Sequence, residues 1–260
     1  IVYISHRMDE IKVITDRVTV MRDGTYVGTL ITEESTKDDI INMMVGRVIY
    51  EDPKSQSNVK PDAPVVLKVE HLNAGSMVKD VSFELRKGEI LGFSGLMGAG
   101  RTEMARALFG ADPKDGGDIY INGEHVIIHN PKDAVKNGIG YLSEDRKRFG
   151  IVTGKSVAEN STMATLDKYS NGIFINKKKE RRLQRNMLRV LQLVVNLSGG
   201  NQQKVVIAKW LIRDCEILIF DEPTRGIDVG AKSEIYHLMN QLVEQGKSII
   251  MISSEMTEIL

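Results

Sequence analysis

The stretch Ile90-Leu-Gly-Phe-Ser-Gly-Leu-Met-Gly-Ala-Gly-Arg-Thr102 joins a short apolar run to a glycine-rich segment, and a helical pattern follows. Within it, Gly95 and Gly100 are separated by four residues and are followed by a cation and a hydroxyl, which is the spacing of a phosphate-binding loop. Glycines allow consecutive backbone N–H groups to turn toward phosphate oxygens, and the helix that follows offers its positive N-terminus. The stretch therefore predicts phosphate contacts from Gly95, Leu96, Met97, Gly98, Ala99, Gly100, Arg101, Thr102 and Glu103.

Arg101 departs from the usual form of this loop, which has a lysine at that position. A lysine ammonium is compact and can reach between the terminal phosphates of a nucleotide, whereas an arginine guanidinium is larger and planar. Arginine keeps the positive charge but changes its reach and geometry. The hydroxyl of Thr102 is expected to bind Mg²⁺, so the loop as a whole predicts a nucleotide site.

Paired carboxylates end a second apolar run, Ile217-Leu-Ile-Phe-Asp-Glu222. A buried parallel strand delivers such acids to its carboxyl edge, where ligands bind in open α/β sheets. Asp221 is expected to hold Mg²⁺ through water. Glu222 is expected to act as the general base that polarises an attacking water molecule.

Strand and helix patterns alternate along most of the chain. Alternating apolar residues at 65–69 and 81–85 predict an antiparallel layer, whereas the continuous runs at 90–93 and 217–220 predict buried parallel strands. This alternation indicates an α/β nucleotide-binding fold. Helices are predicted over residues 102–109, 177–193, 202–212 and 231–244.

The two ends of the chain resemble each other. Residues 1–11, IVYISHRMDEI, and residues 249–259, IIMISSEMTEI, share Ile, Ile, Ser, Met, Glu and Ile in register. Each copy predicts a short buried strand that runs into a helix. A chain that opens and closes on the same element is expected to be one period of a tandem of two similar domains.

Between these ends, residues 17–30 predict a hairpin with an Asp-Gly turn, and residues 37–45 predict a short helix. Residues 51–64 are rich in proline and polar side chains and predict a linker. The predicted organisation is therefore the tail of a first domain at 1–50, a linker at 51–64, and a second domain at 65–260 that is truncated at its C-terminal end.

Composition excludes several classes of protein. The 260 residues carry 35 basic and 35 acidic side chains, so net charge does not indicate binding to nucleic acid or to an anionic membrane surface. The basic stretch at 177–189 is interpreted as the solvated face of a helix with an apolar opposite stripe. Cys215 is the only cysteine, which excludes an intrachain disulfide and favours a reducing compartment. No apolar run is long enough to predict a membrane span.

The segment Leu197-Ser-Gly-Gly-Asn-Gln-Gln-Lys204 resembles the signature sequence of ABC ATPases. Ser198, Gly199 and Gly200, with Gln202 nearby, would form a donor-rich anion site at a helix start, suited to complete a phosphate pocket presented by another domain. Together with the phosphate loop, Ser143-Glu-Asp-Arg-Lys147 and Asp221-Glu-Pro-Thr-Arg-Gly-Ile-Asp-Val-Gly-Ala-Lys232, it resembles the second half of monosaccharide-importer ATPases, the ribose type above all. The resemblance covers essentially the whole chain.

This resemblance implies a fold and further site residues. The fold is an α/β P-loop NTPase of the ABC ATPase type, with a mixed core sheet flanked by helices, an antiparallel β layer and a helical subdomain. Glu144 falls at the Q-loop position near metal and water, facing the permease, and Asp228 matches the D-loop aspartate at the domain interface. His6 matches the switch histidine of the preceding domain. The repeat places Ser254 at the equivalent, degenerate switch position of the present domain.

The resemblance also implies ligands and partners. ATP and Mg²⁺ are the expected ligands, and the partners are a first ABC ATPase domain of the same polypeptide, membrane permease subunits and, indirectly, a sugar-binding protein, but no nucleic acid. The implied location is the cytoplasmic face of the bacterial membrane. The implied function is ATP binding and hydrolysis that energise import of a monosaccharide, with ribose as the family-level expectation.

Two alternatives stay open on the sequence. Arg101 and Ser254 favour a nucleotide-binding regulatory half with weak or no hydrolysis, whereas Glu222 favours turnover. A non-transport ABC ATPase that acts on ribosomes or DNA would need a basic surface or a long charged linker, and the short linker at 51–64 disfavours it.

Overall fold

A computed structural model describes residues 1–5, 8–22, 24–45, 59–96, 98–171, 174–175, 199–227, 229–255 and 258. The helices are α1 (Met8–Ile14), α2 (Lys37–Val45), α3 (Arg101–Leu108), α4 (Pro131–Lys136), α5 (Val157–Thr162), α6 (Leu166–Tyr169), α7 (Gly199–Arg213) and α8 (Val229–Glu244), with a π-helical turn at Arg146–Gly150 and a 3₁₀ turn at Met163–Thr165. The strands are β1 (Arg17–Arg22), β2 (Thr25–Ile31), β3 (Val65–Ala74), β4 (Val78–Arg86), β5 (Ile90–Phe93), β6 (Gly116–Ile121), β7 (Glu124–Val126), β8 (Ile139–Leu142), β9 (Ser170–Asn171), β10 (Phe174–Ile175), β11 (Ile217–Asp221) and β12 (Ser248–Ile252).

A parallel sheet with strand order β5-β12-β11-β8 forms the centre of the chain. Its strands β8, β11 and β12 are buried at every residue, as expected for strands covered on both faces. The register pairs Ile252 with both Phe93 and Asp221, and Phe220 with Leu142, so the four strands end at nearly the same level. The segments that follow them therefore meet at one edge of the sheet. The predicted parallel strands at 90–93 and 217–220 are confirmed, but only the second is buried: β5 lies at the end of the strand order in the described sheet, and none of its residues is fully buried.

A second, antiparallel sheet has the order β4-β3-β6-β7. Helix α3 lies between the sheets, because it contacts β3 and β4 on one side and β11 on the other. The main core unites both sheets around fully buried side chains that include Leu67, Leu72, Leu85, Leu108, Ile139 and Phe220. The connection from β5 into α3 is thus held by packing from two layers, and the predicted antiparallel layer is confirmed.

The amino-terminal residues build a smaller core of their own. The antiparallel hairpin β1–β2 packs with α1 and α2, as predicted for the hairpin and the short helix, while Asp23 of the predicted turn lies outside the described residues. Ile40 is fully buried at the centre, and α2 also contacts α8. The buried members of this amino-terminal core are Met8, Ile11, Val18, Val20 and Ile40.

The prediction of a buried strand at the very start of the chain is wrong. Residues 1–5 have no regular secondary structure, and Ile1, Val2, Tyr3 and Ile4 are exposed. In contrast, the repeat-related strand β12 is enclosed between β5 and β11. A buried strand needs neighbouring strands to satisfy its backbone groups, and residues 1–5 have none within the described part of the chain.

Three of the other predicted helices are confirmed, and one lies outside the described residues. The helices predicted over 102–109, 202–212 and 231–244 correspond to α3, α7 and α8 within three residues at each end. The helix predicted over 177–193 and residues 51–58 of the predicted linker lie outside the described residues. Strand β3 begins at Val65, and the division into domains stays a prediction. Among the described helices, none has the length and apolar character needed to cross a membrane.

Candidate functional site

The glycine-rich loop connects β5 to α3, and its glycines adopt conformations that other residues disfavour. Gly98 and Gly100 have φ values of 80° and 83°. A Cβ atom on Gly100 would lie 2.5 Å from the carbonyl oxygen of Met77, so the loop also approaches the backbone closely there. Among the described residues, no side chain caps the start of α3. The first N–H groups of this helix are therefore available for an anion, although Met97 of the predicted set lies outside the description.

Arg101 directs its guanidinium toward the ends of the two central strands. Its Nη1 donates to the carbonyl oxygen of Ser253, directly after β12, and its Nη2 lies 3.6 Å from Oε1 of Glu222, directly after β11. The side chains of Arg101 and Glu222 are only 12% and 8% exposed. Because a guanidinium presents several donors in one plane, it can contact two segments at once, which a lysine ammonium with one nitrogen does less well.

Asp221 receives two hydrogen bonds at the bottom of the site. Thr102 Oγ1 donates to Oδ1 at 3.1 Å, and the hydroxyl of Tyr141 donates to Oδ2 at 2.7 Å. Asp221 is fully buried, and this burial raises its pKa although both hydrogen bonds oppose the shift. Burial and the nearby Asp221 charge also raise the pKa of Tyr141, which keeps its hydroxyl a donor. The adjacent hydroxyl and carboxylate oxygens of Thr102 and Asp221 are ligands that suit Mg²⁺.

Glu222 and Ser254 are brought together as neighbours. Ser254 Oγ donates to Oε2 of Glu222 at 3.1 Å, and the Glu222 N–H donates to the carbonyl oxygen of Ile252 at 2.9 Å. Burial raises the pKa of Glu222, while the Ser254 hydrogen bond and the Arg101 charge lower it. A carboxylate with a raised pKa is a better proton acceptor. Ser254 thus orients the predicted base, whereas His6 lies outside the described residues.

The signature segment is described from Gly199 onward, where α7 begins, and Ser198 lies outside the description. A Cβ on Gly200 would lie 2.7 Å from the Cβ of Ala231 in α8, so Gly200 allows two helices to approach. Gln202 accepts a hydrogen bond from Nε of Arg146 at 3.2 Å. These contacts join the signature helix to neighbouring elements of the same chain.

Glu144 follows β8 and forms an ion pair with Arg225, which lies in the turn after β11. Arg146 Nη1 donates to the carbonyl oxygen of Arg225 at 3.3 Å while its Nε contacts Gln202. The segment after β8 is therefore tied to both the turn after the acids and the signature helix. A shallow cavity of about 310 Å³ lies here, lined by Glu144, Asp145, Arg146, Lys147 and Arg225. The last predicted residue of this region, Asp228, is not among the described residues.

Residues 78–225 match the family model described as ABC transporter. The chain belongs to the ABC transporter family. It is 52% identical over 269 residues to the ribose import ATP-binding protein RbsA of Clostridium tetani, with 100% of this chain and 53% of that protein covered. The same identity and coverage relate it to a protein of Albidiferax ferrireducens named for ribose, galactose and methyl galactoside import. The chain therefore spans about half the length of the curated relatives it matches.

Solved ABC cassettes share the fold. A nucleotide-free ATP-binding cassette from an ABC transporter superposes with a TM-score of 0.64 at 19% identity, covering 75% of this chain and 83% of that one. A dimeric post-hydrolysis state of the cassette MJ0796 superposes with a TM-score of 0.60 at 21% identity, covering 74% and 89%. These similarities confirm the predicted fold class.

Sequence reasoning missed several residues that shape this candidate site. Tyr141 lies inside a continuous apolar run, so nothing in the pattern marks its hydroxyl as a donor to Asp221. Arg146 and Arg225 both lie in motifs quoted for their resemblance to the family, and only that membership could have singled them out. Ser253 acts through its backbone carbonyl, which any residue would offer.

Proposed function

We propose that this chain binds ATP with Mg²⁺ and hydrolyses it as one half of a monosaccharide-importer ATPase. The observation that carries the proposal is the meeting of Arg101, Thr102, Asp221 and Glu222 at one sheet edge, beside a helix start that no side chain in the described ranges caps. A cation, a hydroxyl and two carboxylates can supply charge neutralisation, Mg²⁺ ligands and a general base for phosphoryl transfer to water.

Each described residue has a distinct task in this proposal. The backbone N–H groups of the glycine loop and of the α3 N-terminus bind phosphate oxygens, and Arg101 balances their charge. Thr102 and Asp221 would hold Mg²⁺, which supplies charge neutralisation at the terminal phosphates. Glu222 accepts a proton from the attacking water, and the Ser254 hydrogen bond orients its carboxylate.

Hydrolysis at this site is proposed to be slow because the switch position holds Ser254. A serine hydroxyl has a single O–H, and here it donates to Glu222. It therefore cannot also donate to a terminal phosphate, as a charged histidine imidazolium with two N–H groups could. The signature at Ser198 and the switch residue His6 are assigned to the site of a first ABC ATPase domain in the same polypeptide. ATP then holds the two halves together, and hydrolysis releases them.

The transport role extends the proposal to the whole protein. Relatives named for ribose, galactose or methyl galactoside import support a monosaccharide, with ribose as our choice. Membrane permease subunits at the cytoplasmic face would contact the segment around Glu144, and a sugar-binding protein would deliver the sugar. The phosphate-handling residues carry no information on the sugar, because their proposed ligand is the nucleotide.

The test is ATP binding and steady-state phosphate release by the purified chain with Mg²⁺, compared with Glu222→Gln. We expect ATP binding in both proteins, with slow phosphate release that disappears in the variant. Absence of ATP binding would contradict the proposal. Binding without any Glu222-dependent release would instead favour the regulatory half, and fast Glu222-dependent release would contradict the role given to Ser254.

A further inference from the structure

The carboxylate of Glu258 is enclosed by four side-chain donors close to the nucleotide site. Ser253 Oγ donates to Oε2 at 2.6 Å, while Thr224 Oγ1 and the Tyr236 hydroxyl each donate to Oε1 at 2.6 Å. Lys232 Nζ also lies 3.1 Å from Oε1. The Glu258 side chain is only 4% exposed. An anion buried this deeply is tolerated because its oxygens are paired and hydrogen-bonded.

The four donors come from the segments that build the site. Thr224 follows Glu222 by two residues, Ser253 lies directly after β12, and Lys232 and Tyr236 belong to α8. The carbonyl oxygen of Ser253 also receives the guanidinium of Arg101. Glu258 is therefore connected to Arg101 through Ser253, and to the turn that follows Glu222 through Thr224.

The charge of Glu258 matters to this arrangement. Burial by itself would raise the pKa of Glu258, but hydrogen bonds from Ser253, Thr224 and Tyr236 and the charge of Lys232 lower it below the ordinary value. The surroundings thus favour the carboxylate form. A glutamine at this position would replace one acceptor oxygen by an N–H₂ group, which cannot accept hydrogen bonds from these donors.

The same hydroxyl-to-carboxylate contact occurs in the other copy of the repeat. Ser5 Oγ donates to Oε2 of Glu10 at 3.3 Å, in the positions that align with Ser253 and Glu258. In both copies the pair spans five residues and brackets the switch position, His6 or Ser254. A helix capping box spans three residues, so this contact is a different device.

We propose that Glu258 is a positioning residue whose carboxylate holds the Ser253 and Thr224 hydroxyls so that the Ser253 carbonyl and Glu222 both face Arg101. The inference rests on the proposed nucleotide site, which Arg101 and Glu222 line. Glu258 acts on Arg101 through Ser253 and on Glu222 through the turn that contains Thr224.

A measurement without nucleotide tests the positioning itself. The guanidinium N–H signals of Arg101, assigned by their loss in Arg101→Lys, are expected to be protected from solvent exchange in the unmodified chain and to lose that protection in Glu258→Gln. The control Glu255→Gln removes the half-exposed partner of the same Lys232 and is expected to leave the signals unchanged. Signals that are unprotected at the start, or equally protected in Glu258→Gln, would overturn the inference.

ATP affinity supplies the second measurement. Loss of a charge-assisted hydrogen-bond set is expected to weaken ATP binding by Glu258→Gln about tenfold. This loss should vanish in an Arg101→Ala background, because a residue that acts through Arg101 has no effect without it. Equal losses in both backgrounds would mean general destabilisation and would contradict the inference.

The Ser253→Ala variant tests the inference if Glu258→Gln fails to fold. Ser253→Ala removes one hydroxyl while Glu258 keeps its other donors, so it serves if Glu258→Gln fails to fold and should loosen Arg101 in the same direction. If the unmodified chain binds no ATP, the proposed function fails, while the guanidinium signals still decide the role of Glu258. If Glu258→Gln does not fold, unchanged Arg101 signals in Ser253→Ala would refute the positioning role of Glu258.

Discussion

Glu222 has a φ of 48°, a conformation that costs a non-glycine residue about 1 kcal/mol or more. Such a residue persists where its surroundings determine it from several sides. The Glu222 N–H donates to Ile252, and its carboxylate contacts Ser254 and Arg101. This backbone conformation places the carboxylate directly after β11, where it contacts Arg101 at the start of α3.

Gly100 and Gly98 allow the cost of backbone conformation to be separated from the cost of a steric clash. Both have positive φ, but only at Gly100 would a Cβ meet the Met77 carbonyl oxygen. Apart from its two neighbours in the sequence, no residue of the described chain has an atom within 4 Å of a Cβ built on Gly98. We expect Gly98→Ala to lower the free energy of unfolding by about 1 kcal/mol, and Gly100→Ala by about 2–4 kcal/mol. Urea denaturation measures both, and equal losses would show that the loop moves away from Met77 at little cost.

At the scale of elements, the π-helical turn Arg146–Gly150 packs closely against α7. A Cβ on Gly150 would lie 3.0 Å from a methyl group of Val206, and Lys209 Nζ donates to the Gly150 carbonyl oxygen at 2.8 Å. The same ammonium lies 4.7 Å from the ring centroid of Trp210. Burial lowers the pKa of Lys209 from an ordinary value of 10.5 to about 8. The contact between these elements therefore includes a partly desolvated lysine.

The lowered pKa of Lys209 predicts a rise of stability with pH. Below pH about 8 the lysine is charged in both folded and unfolded chains, and the folded chain carries the full cost of burying the charge. Between about 8 and 10.5 the unfolded chain binds more protons, so the free energy of unfolding rises with pH. We subtract the free energy of unfolding of Lys209→Met from that of the unmodified chain. We expect this difference to become more positive by about 1–2 kcal/mol over this range.

Urea denaturation at several pH values between 7 and 10.5 measures this difference. Lys155, whose side chain is half-exposed, offers a matched Lys→Met substitution at a position without burial. A constant difference for Lys209→Met across the range would mean that the ammonium is well solvated in the folded chain.

At the scale of the whole molecule, the described residues contain two hydrophobic cores. The main core joins both sheets of residues 65–252, and the amino-terminal core is built from α1, β1, β2 and α2. The described residues of the proposed nucleotide site lie between Gly95 and Ser254, outside the amino-terminal core. The amino-terminal core is small, so it has less buried apolar surface to stabilise it.

Removing the central side chain of the small core should therefore affect that region alone. Ile40→Ala is expected to lower the stability of residues 8–45 by about 2–5 kcal/mol through the cavity it leaves. Amide hydrogen exchange should then show lost protection in α2 and the β1–β2 hairpin, with protection retained in β11 and β12. Leu142→Ala, in the main core, provides the converse control. Parallel loss in both regions after Ile40→Ala would show that the contact between α2 and α8 unites them into one cooperative unit.

The sequence by itself determined the parts of this protein that depend on local order. Glycine spacing specifies the loop between β5 and α3, because only glycine adopts positive φ at little cost. The continuous apolar run of β11 specifies a parallel strand that is covered on both faces, whereas the similar run of β5 gives a parallel strand that is only partly buried. A carboxylate pair at the end of such a run must then lie at the sheet edge, so Asp221 and Glu222 could be assigned without coordinates.

Only the tertiary structure decided which side chains meet there. Tyr141 and Asp221 are 80 residues apart, Arg101 and Ser253 are 152 apart, and each contact depends on the strand order β5-β12-β11-β8. The surroundings of Glu258 and the exposure of residues 1–5 likewise depend on which strands and helices lie next to them. Local patterns determine what a segment can form, but strand order and register, which set its neighbours, arise from packing across the whole chain.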